Sequence, residues 1–298
     1  MTSPDAAPLR TDEGAAPATP SYVLVLTCPD GPGIVHAVSG VLAGASGNIT
    51  ESQQYGDPGT GRFHLRVQVE VPLAREELAA LLAPVAERFG MDWSLDVLGR
   101  PLRTLVLVSR AGHCLNDLLF RQRSGRLPVD VVGVVGNHRD LEPMAAAAGV
   151  PFTHVPVEAG GKDAAEARLL AMVEEHDVEL VVLARYMQVL SDDLCRALHG
   201  RVINIHHSFL PSFKGARPYA QAHGRGVKLI GATAHYVTAD LDEGPIIEQD
   251  VHRVDHASTE ADMVGIGQDV EAQVLARAVR WHAEHRVLLD GHRTVVFR

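Results

Sequence analysis

Three uninterrupted apolar segments constrain the fold most strongly, and they lie at residues 105–108, 131–135 and 180–183. Segments with helical character separate them, near residues 114–123, 140–148 and 163–175. Continuous apolar strands that alternate with helices are typical of a parallel sheet covered on both faces. The sequence therefore predicts an open, mostly parallel α/β domain over residues 104–298, with its ligand beyond the carboxyl ends of the strands.

The chain ahead of this region follows a different pattern. Short amphipathic segments are predicted as a strand, a helix, two strands, a helix and a strand, at residues 22–27, 34–47, 49–55, 63–71, 73–89 and 91–97. This β-α-β-β-α-β order over about 80 residues is typical of a ferredoxin-like domain. We therefore predict a disordered, proline-rich tail at 1–20, a ferredoxin-like domain at 21–98 and a linker at 99–103.

Composition narrows the classes of function. A chain of 298 residues with 46% apolar and 21% charged residues fits a globular protein of two domains. Its 27 basic and 37 acidic residues give a formal net charge of −10, which argues against nucleic acid as the main partner. Three scattered cysteines and the lack of a signal peptide or a long apolar run predict a cytoplasmic protein with no membrane segment.

The residues best suited to chemistry lie between positions 202 and 248. Asn204 and His206 are two positions apart on a short predicted strand, so their side chains project to the same side of the strand. The side chain of His207 is predicted to point away from them. An amide beside an imidazole can hold a carbonyl oxygen and transfer a proton. An acidic turn at 240–245 can supply a carboxylate that orients His206. These residues alone predict an α/β enzyme of acid–base chemistry, with a structural Asn-x-His pair and a solvated turn as the alternatives.

Metal and nucleotide cofactors are not predicted. Five histidines cluster in sequence, at His206, His207, His223, His235 and His252, but there is no HExxH motif and no pair of nearby cysteines. The loop after the first α/β strand, at residues 109–116, has one glycine where a dinucleotide fingerprint needs three. A phosphate-binding GxxxxGK[ST] motif is also missing.

Several separated motifs resemble the formyltransferase fold that acts on formyltetrahydrofolate. The segment NIHHSFLPSF at 204–213 is similar to the strand-and-loop signature NIHxSxLP of that fold. The segments GATAHYV at 231–237 and LDEGPII at 241–247 match in the same order, and LARYMQVLS at 183–191 is similar to the folate-facing loop. The resemblance implies a formyltransferase-type, Rossmann-like domain whose catalytic Asn, His and Asp fall on Asn204, His206 and Asp242.

Within this fold, the chain resembles the formyltetrahydrofolate deformylases. The doubled histidine at 206–207 is typical of them, and the loop AGHCLNDL at 111–118 lacks the phosphate-binding turn of the glycinamide ribonucleotide formyltransferases. Residues 22–97 also resemble an ACT domain, with a ligand-loop signature at 27–35. The resemblance implies a hydrolase of one-carbon metabolism, linked to purine biosynthesis, that converts 10-formyltetrahydrofolate and water into tetrahydrofolate and formate.

The resemblance also implies roles for individual residues. Asn204 and His206 are expected to stabilise the formyl oxyanion, and Asp242 to orient water and His206. The expected substrate-binding residues are Tyr186, Met187, Val189, Leu190, His207, Asp240 and Gly244.

The resemblance to ACT domains implies a homo-oligomer and an amino-acid effector. The expected effector-binding residues are Asp30, Gly31, Gly33 and Asn48. No cofactor, metal, nucleic acid or membrane partner is expected. A formyltransferase that passes the formyl group to an amine, and a folate or amino-acid sensor with a vestigial catalytic domain, are the alternatives.

Overall fold

The computed structural model describes residues 19–158, 160–210 and 218–298. The predicted disordered tail lies outside the described residues up to position 18, and so does the end of the NIHHSFLPSF motif, from position 211. The chain divides into two compact units between Leu98 and Gly99, and each unit is described by itself. Within the described part of the chain, no helix is long and apolar enough to span a bilayer.

The amino-terminal unit has the predicted element order. Its elements are β1 (Ser21–Pro29), α1 (Ile34–Gly44), β2 (Asn48–Asp57), β3 (Arg62–Glu70), α2 (Arg75–Phe89) and β4 (Asp92–Val97). The strands form an antiparallel sheet in the order β2-β3-β1-β4. Alternate residues of β1, among them Leu24 and Leu26, join the core, as do Ile34, Val38 and Leu42 at four-residue spacing on α1. One apolar face of the sheet therefore packs against one apolar stripe of the helix.

The carboxy-terminal unit is an α/β fold built on a mixed sheet. Its first elements are β5 (Leu102–Val108), α3 (His113–Arg123), β6 (Val129–Gly136), α4 (Glu142–Ala147), β7 (Phe152–His154), α5 (Lys162–Glu175), β8 (Leu180–Leu183), α6 (Asp192–Ala197) and β9 (Val202–His206). They are followed by α7 (Pro218–Arg225), β10 (Leu229–Tyr236), β11 (Ile246–Arg253), α8 (Glu260–Ala283), β12 (Val287–Asp290) and β13 (Arg293–Val296). The seven-stranded sheet has the order β11-β10-β9-β8-β5-β6-β7, and the last two strands form a separate hairpin.

Strand direction explains where the site forms. Strands β5 to β9 are parallel to one another, whereas β10 runs antiparallel to both β9 and β11. The buried residues Leu105, Val182 and Ile203 lie on neighbouring parallel strands, which accounts for their continuous apolar sequence. The loops that follow β8 and β9 consequently open at the same edge of the sheet.

Some predicted boundaries change. Strand β5 begins at Leu102, inside the predicted linker, because Leu102 is buried in the core and pairs with Val129. The sequence pattern also did not predict the short elements β7, α6 and α7 or the final hairpin. Elements of three to eight residues are too short for a clear apolar period.

The long helix α8 covers β9 and β10 and carries a histidine whose charge state affects stability. The ring nitrogen Nδ1 of His282 lies 2.7 Å from the hydroxyl of the buried Tyr236. Burial lowers the pKa of His282 to about 4, from an ordinary value of 6.5. The ring is therefore neutral in the folded protein at pH values where it is protonated in the unfolded chain.

The His282→Gln variant is expected to reduce the acid sensitivity of the fold. Between pH 6.5 and about 4 the unfolded chain takes up a proton that folded His282 does not, so stability is lost as the pH falls through this window. Above pH 6.5 the residue contributes nothing to the pH dependence. Thermal melting at neutral pH and near pH 4.5 should show a smaller difference for His282→Gln than for the wild type. The exposed control His252→Gln should match the wild type. An unchanged difference in His282→Gln would contradict this assignment.

Candidate active site

The end of strand β9 presents two polar side chains to one side. Asn204 and His206 are partly exposed, whereas Ile205 between them and Ile203 before them are buried. This is the predicted alternation. The expectation that His207 points away from His206 is wrong, because their rings stack with centroids 4.9 Å apart. Strand β9 ends at His206, so the two-residue period does not extend to the next position.

Asp242 lies in the loop between β10 and β11 and contacts two histidines. Its Oδ2 is 3.2 Å from Nδ1 of His206, and its Oδ1 is 3.7 Å from Nε2 of His235. A hydrogen bond from His206, supported by the nearby ring of His235, holds the pKa of the Asp242 carboxyl well below its usual range, against the opposing effect of burial. Asp242 therefore remains a carboxylate throughout the neutral range.

The backbone at Asp242 is in an uncommon conformation. Its φ of 58° lies in the left-handed region, which costs a residue with a side chain on the order of 1 kcal/mol. Gly244 stands two positions later, where an added Cβ would lie 1.8 Å from the carbonyl oxygen of Tyr236. The loop thus combines strain at Asp242 with very close packing at Gly244, and both features fix its course.

His235 was not among the residues predicted for the site. It lies opposite Asn204 in the pairing of β9 with β10, and its Nε2 is 3.2 Å from the amide nitrogen of Asn204. Its Nδ1 is 2.9 Å from the carbonyl oxygen of Tyr236, and since a carbonyl only accepts, Nδ1 carries the proton. In the neutral ring, Nε2 is then left as an acceptor for one N–H of Asn204. His235 therefore orients the Asn204 amide.

These side chains face a cavity of about 240 Å³. Beyond the polar groups, its wall includes most of the predicted substrate-binding residues, namely Tyr186, Met187, Val189, Leu190, His207 and Asp240. Gly244 does not line this cavity in the part of the chain that the structure describes, and its contact is the packing on Tyr236. The Nε2 atom of His206 is buried and has no hydrogen-bond partner among the described residues. It is therefore available to a molecule in the cavity.

Two buried side chains hold the loop that follows β8. The carboxylate of Glu166 accepts hydrogen bonds from the backbone N–H of Ser191, at 2.8 Å, and from the Ser191 hydroxyl. The Ser109 hydroxyl accepts from the backbone N–H of Met187 at 2.9 Å and donates to Asn137 at 2.7 Å. Both ends of the segment that lines the cavity are thus tied to the core.

A buried charge cluster lies next to His207. Glu271 of α8 is only 1% exposed, and it contacts Nε2 of His113 at 2.7 Å and Nε of Arg185 at 3.4 Å. The Tyr219 hydroxyl donates to Glu271 at 2.7 Å, and the Tyr219 ring centroid is 6.5 Å from that of His207. Burial acts to raise the pKa of Glu271, but the hydrogen bond from His113 and the charge of Arg185 outweigh it and lower that pKa.

Donor atoms for a metal occur in this cluster. One ligand atom each from His113, Cys114 and Glu271 lies within 4.8 Å of the others. However, the Arg185 guanidinium already faces the carboxylate, and burial raises the pKa of the Cys114 thiol far above its usual range. A cationic neighbour and a protonated thiol are unfavourable for a metal ion.

The predicted effector residues belong to the amino-terminal unit. Asp30, Gly31 and Gly33 lie in the turn between β1 and α1, and Asn48 begins β2. Gly33 precedes α1 with a φ of 93°, in the left-handed region that favours glycine. None of the four lines the cavity described above.

Comparison with known proteins identifies the family. A family model described as formyl transferase matches residues 102–279. A formyltetrahydrofolate deformylase of Corynebacterium sp. (strain P-1) is 52% identical over 93% of this chain and 98% of its own length. The chain belongs to the formyltetrahydrofolate deformylase family.

Solved structures agree with membership of the deformylase family. The crystal structure of the formyltetrahydrofolate deformylase from Burkholderia mallei has a TM-score of 0.91 and 49% identity, covering 94% of this chain and all of that one. Glycinamide ribonucleotide transformylase 1 from Symbiobacterium toebii is similar over 68% of this chain and 97% of its own, with a TM-score of 0.62 and 34% identity. The similarity to the transformylase therefore covers a smaller part of this chain than the similarity to the deformylase does.

Proposed function

We propose that this protein hydrolyses 10-formyltetrahydrofolate to tetrahydrofolate and formate. The observation that carries the proposal is the environment of His206. Its Nδ1 faces the Asp242 carboxylate at 3.2 Å, while its buried Nε2 has no partner among the described residues and lies at the cavity beside Asn204. This is the arrangement required to bind and polarise a carbonyl group. The names of the family members supply the substrate.

The formyl oxygen is bound by two donors. One N–H of the Asn204 amide is directed to His235, and the second is free to donate to the substrate. The Nε2–H of His206 is the other donor, and both hydrogen bonds strengthen as negative charge develops on the oxygen. His235 acts in this step as a positioning residue for Asn204.

Asp242 directs the water and the proton. Its carboxylate accepts from Nδ1 of His206, stabilises a positive charge on that ring and orients the water that attacks the formyl carbon. The water oxygen forms a bond to the formyl carbon, and the bond between that carbon and N10 of the folate breaks. The proton released by the water passes through Asp242 and His206 to N10, so the products are formate and tetrahydrofolate. Side chains and water supply every group in this proposed mechanism, so it requires no cofactor or metal.

The pterin occupies the less polar part of the cavity. Tyr186, Met187, Val189 and Leu190 provide apolar surface there, and backbone groups at 240–242, the part of the acidic loop that lines the cavity, bind the ring edge. His207 contributes a neutral ring, because burial lowers its pKa to about 4 and Arg185 acts in the same direction. The pterin thus meets an uncharged imidazole at His207.

A direct assay tests the function. The purified protein is incubated with 10-formyltetrahydrofolate and no added amine, while tetrahydrofolate is followed by absorbance and formate by a coupled enzyme. Equal amounts of the two products are expected. Formyl transfer is the other candidate, since a transformylase shares the fold. Substrate consumption only after an amine is added would favour that candidate and contradict hydrolysis.

The amino-terminal unit acts as an ACT domain in this proposal. Its antiparallel sheet in the order β2-β3-β1-β4 supports this role, with Asp30, Gly31, Gly33 and Asn48 at the effector site of a homo-oligomeric, cytoplasmic enzyme. A thermal-shift screen of the full chain with amino acids should identify one that stabilises it. Substitution of Asp30 should abolish that shift.

A further inference from the structure

The shared fold raises the question of what decides the attacking group. Hydrolysis and formyl transfer begin with the same step, attack of a nucleophile on the formyl carbon, and a transformylase of the same fold is 34% identical to this chain. We propose that Arg185, paired with the buried Glu271, restricts the nucleophile to water. Its side chain fills the space through which an amine would reach the formyl group. This proposal rests on the proposed hydrolysis.

The backbone at Arg185 is the first observation. Its φ of 63° is in the left-handed region, although it carries a long side chain. This conformation favours glycine and is uncommon for other residues, and where it occurs it is concentrated at functional sites. Arg185 comes two positions after β8, in the segment that forms the cavity wall. An arginine at this position therefore costs conformational energy that its side-chain contacts offset.

The charged partner of the Arg185 guanidinium is Glu271. Arg185 Nε lies 3.4 Å from a Glu271 carboxylate oxygen that is also 2.7 Å from Nε2 of His113. The second oxygen of Glu271 accepts from the Tyr219 hydroxyl at 2.7 Å. The carboxylate thus joins residues of α3, α7, α8 and the loop after β8. Separating the guanidinium from this carboxylate would leave a buried charge without compensation, which is strongly unfavourable, so Arg185 stays beside Glu271.

The place of Arg185 is the decisive observation. It lines the reaction cavity and also a second cavity of about 480 Å³, whose wall includes Ser109, Arg110, Asn137 and His138. Met187 and Gln188 also line both cavities, so Arg185 lies in the segment where the two adjoin, and it is the charged residue of that segment. In this proposal a water molecule reaches the formyl carbon with Arg185 in place, whereas a larger amine has to displace the side chain.

Without this side chain, a primary amine can take the place of water as the nucleophile. The nitrogen lone pair of a primary amine forms a bond to the formyl carbon, and the carbon–N10 bond of the folate breaks. One amine proton passes through Asp242 and His206 to N10. The products are a formamide and tetrahydrofolate, and no oxidant or reductant is needed.

The Arg185→Gly variant tests the proposal, since it removes the side chain and suits the left-handed backbone. The variant and the wild type are incubated with 10-formyltetrahydrofolate and a high concentration of glycinamide, a small primary amine. N-formylglycinamide and formate are quantified by mass spectrometry. We expect the ratio of N-formylglycinamide to formate to rise at least ~10-fold in Arg185→Gly, the effect of about 1.4 kcal/mol between the two attacks.

A second variant and a matched control complete the experiment. Glu271→Gln keeps the side-chain volume but removes the charge that holds Arg185, and it should raise the same ratio to a smaller extent. The control Arg110→Ala removes an exposed arginine from the second cavity and should leave the ratio unchanged. An unaltered ratio in an active Arg185→Gly would overturn the proposal.

Loss of all turnover in an Arg185→Gly protein that circular dichroism shows to be folded would also overturn it. Arg185 would then serve the chemistry itself. Failure of the proposed function would look different, because the wild type would then release no formate from 10-formyltetrahydrofolate.

Discussion

Asp242→Asn is expected to lower the turnover number by about 10²–10⁴-fold, the range for loss of a positioned general acid or base. The asparagine keeps the size of the side chain and the contact with His206, but it cannot accept a proton or stabilise a charged imidazole ring. Because the cavity wall is unchanged, folate binding should remain within a few-fold of the wild type. Steady-state kinetics measures the first effect, and equilibrium titration with a non-reactive folate measures the second.

Two further variants sharpen this test. Asn204→Ala removes a donor to the formyl oxygen, and its turnover should fall by about 10²–10³-fold with folate binding retained. Glu243→Gln changes an exposed carboxylate next to Asp242 and should leave turnover near the wild-type value. Nearly normal hydrolysis by folded Asp242→Asn or Asn204→Ala would refute the assigned role of that residue.

The pH profile provides an independent check on Asp242. Its pKa lies well below the usual range because His206 hydrogen-bonds to it and His235 lies beside it, so it stays ionised as the pH falls to 5. Wild-type turnover should therefore show no titration attributable to this carboxyl between pH 5 and 9.

Gly244→Ala is expected to lower the turnover number almost as much as Asp242→Asn does, although residue 244 does not line the cavity. An added Cβ would lie 1.8 Å from the carbonyl oxygen of Tyr236, which belongs to a strand and cannot move aside. A backbone hydrogen bond of 2.9 Å from the Tyr236 N–H to the Pro245 carbonyl holds the loop at that point. The loop must shift, and Asp242 shifts with it. Because a displacement of about 1 Å in a catalytic group costs about 10²-fold, turnover should fall by a similar factor.

The melting temperature of Gly244→Ala should fall as well, because the overlap is with backbone. The matched control is Gly224→Ala in helix α7, where an added Cβ meets nothing within 4 Å. A helical alanine in place of glycine is expected to stabilise by about 0.5–1 kcal/mol and leave turnover unchanged. If Gly244→Ala turned over substrate as fast as the wild type, the loop would tolerate the added Cβ, and Gly244 would not be what holds Asp242 in place.

Local patterns were sufficient for part of this protein. The continuous apolar segments at 105–108 and 180–183 identified central parallel strands, because strands buried on both faces leave no polar side to alternate. The two-residue spacing placed Asn204 and His206 on the same side of β9 for a reason equally local. Asp242 was different, since only the resemblance to a known family distinguished it from the other acidic residues of its loop.

Tertiary structure decided the remaining features of the site. The register of β10 against β9 places His235 opposite Asn204, and no periodicity within either strand specifies that register. His113, Arg185, Tyr219 and Glu271 come from four separate segments, and only packing of α8 on the sheet brings them together. Side-chain period is a property of neighbouring residues, whereas the partners of a buried charge are set by contacts between distant ones. The amino-acid sequence therefore specified the strands and two polar residues of the site, and the folded chain determined what orients them and what surrounds them.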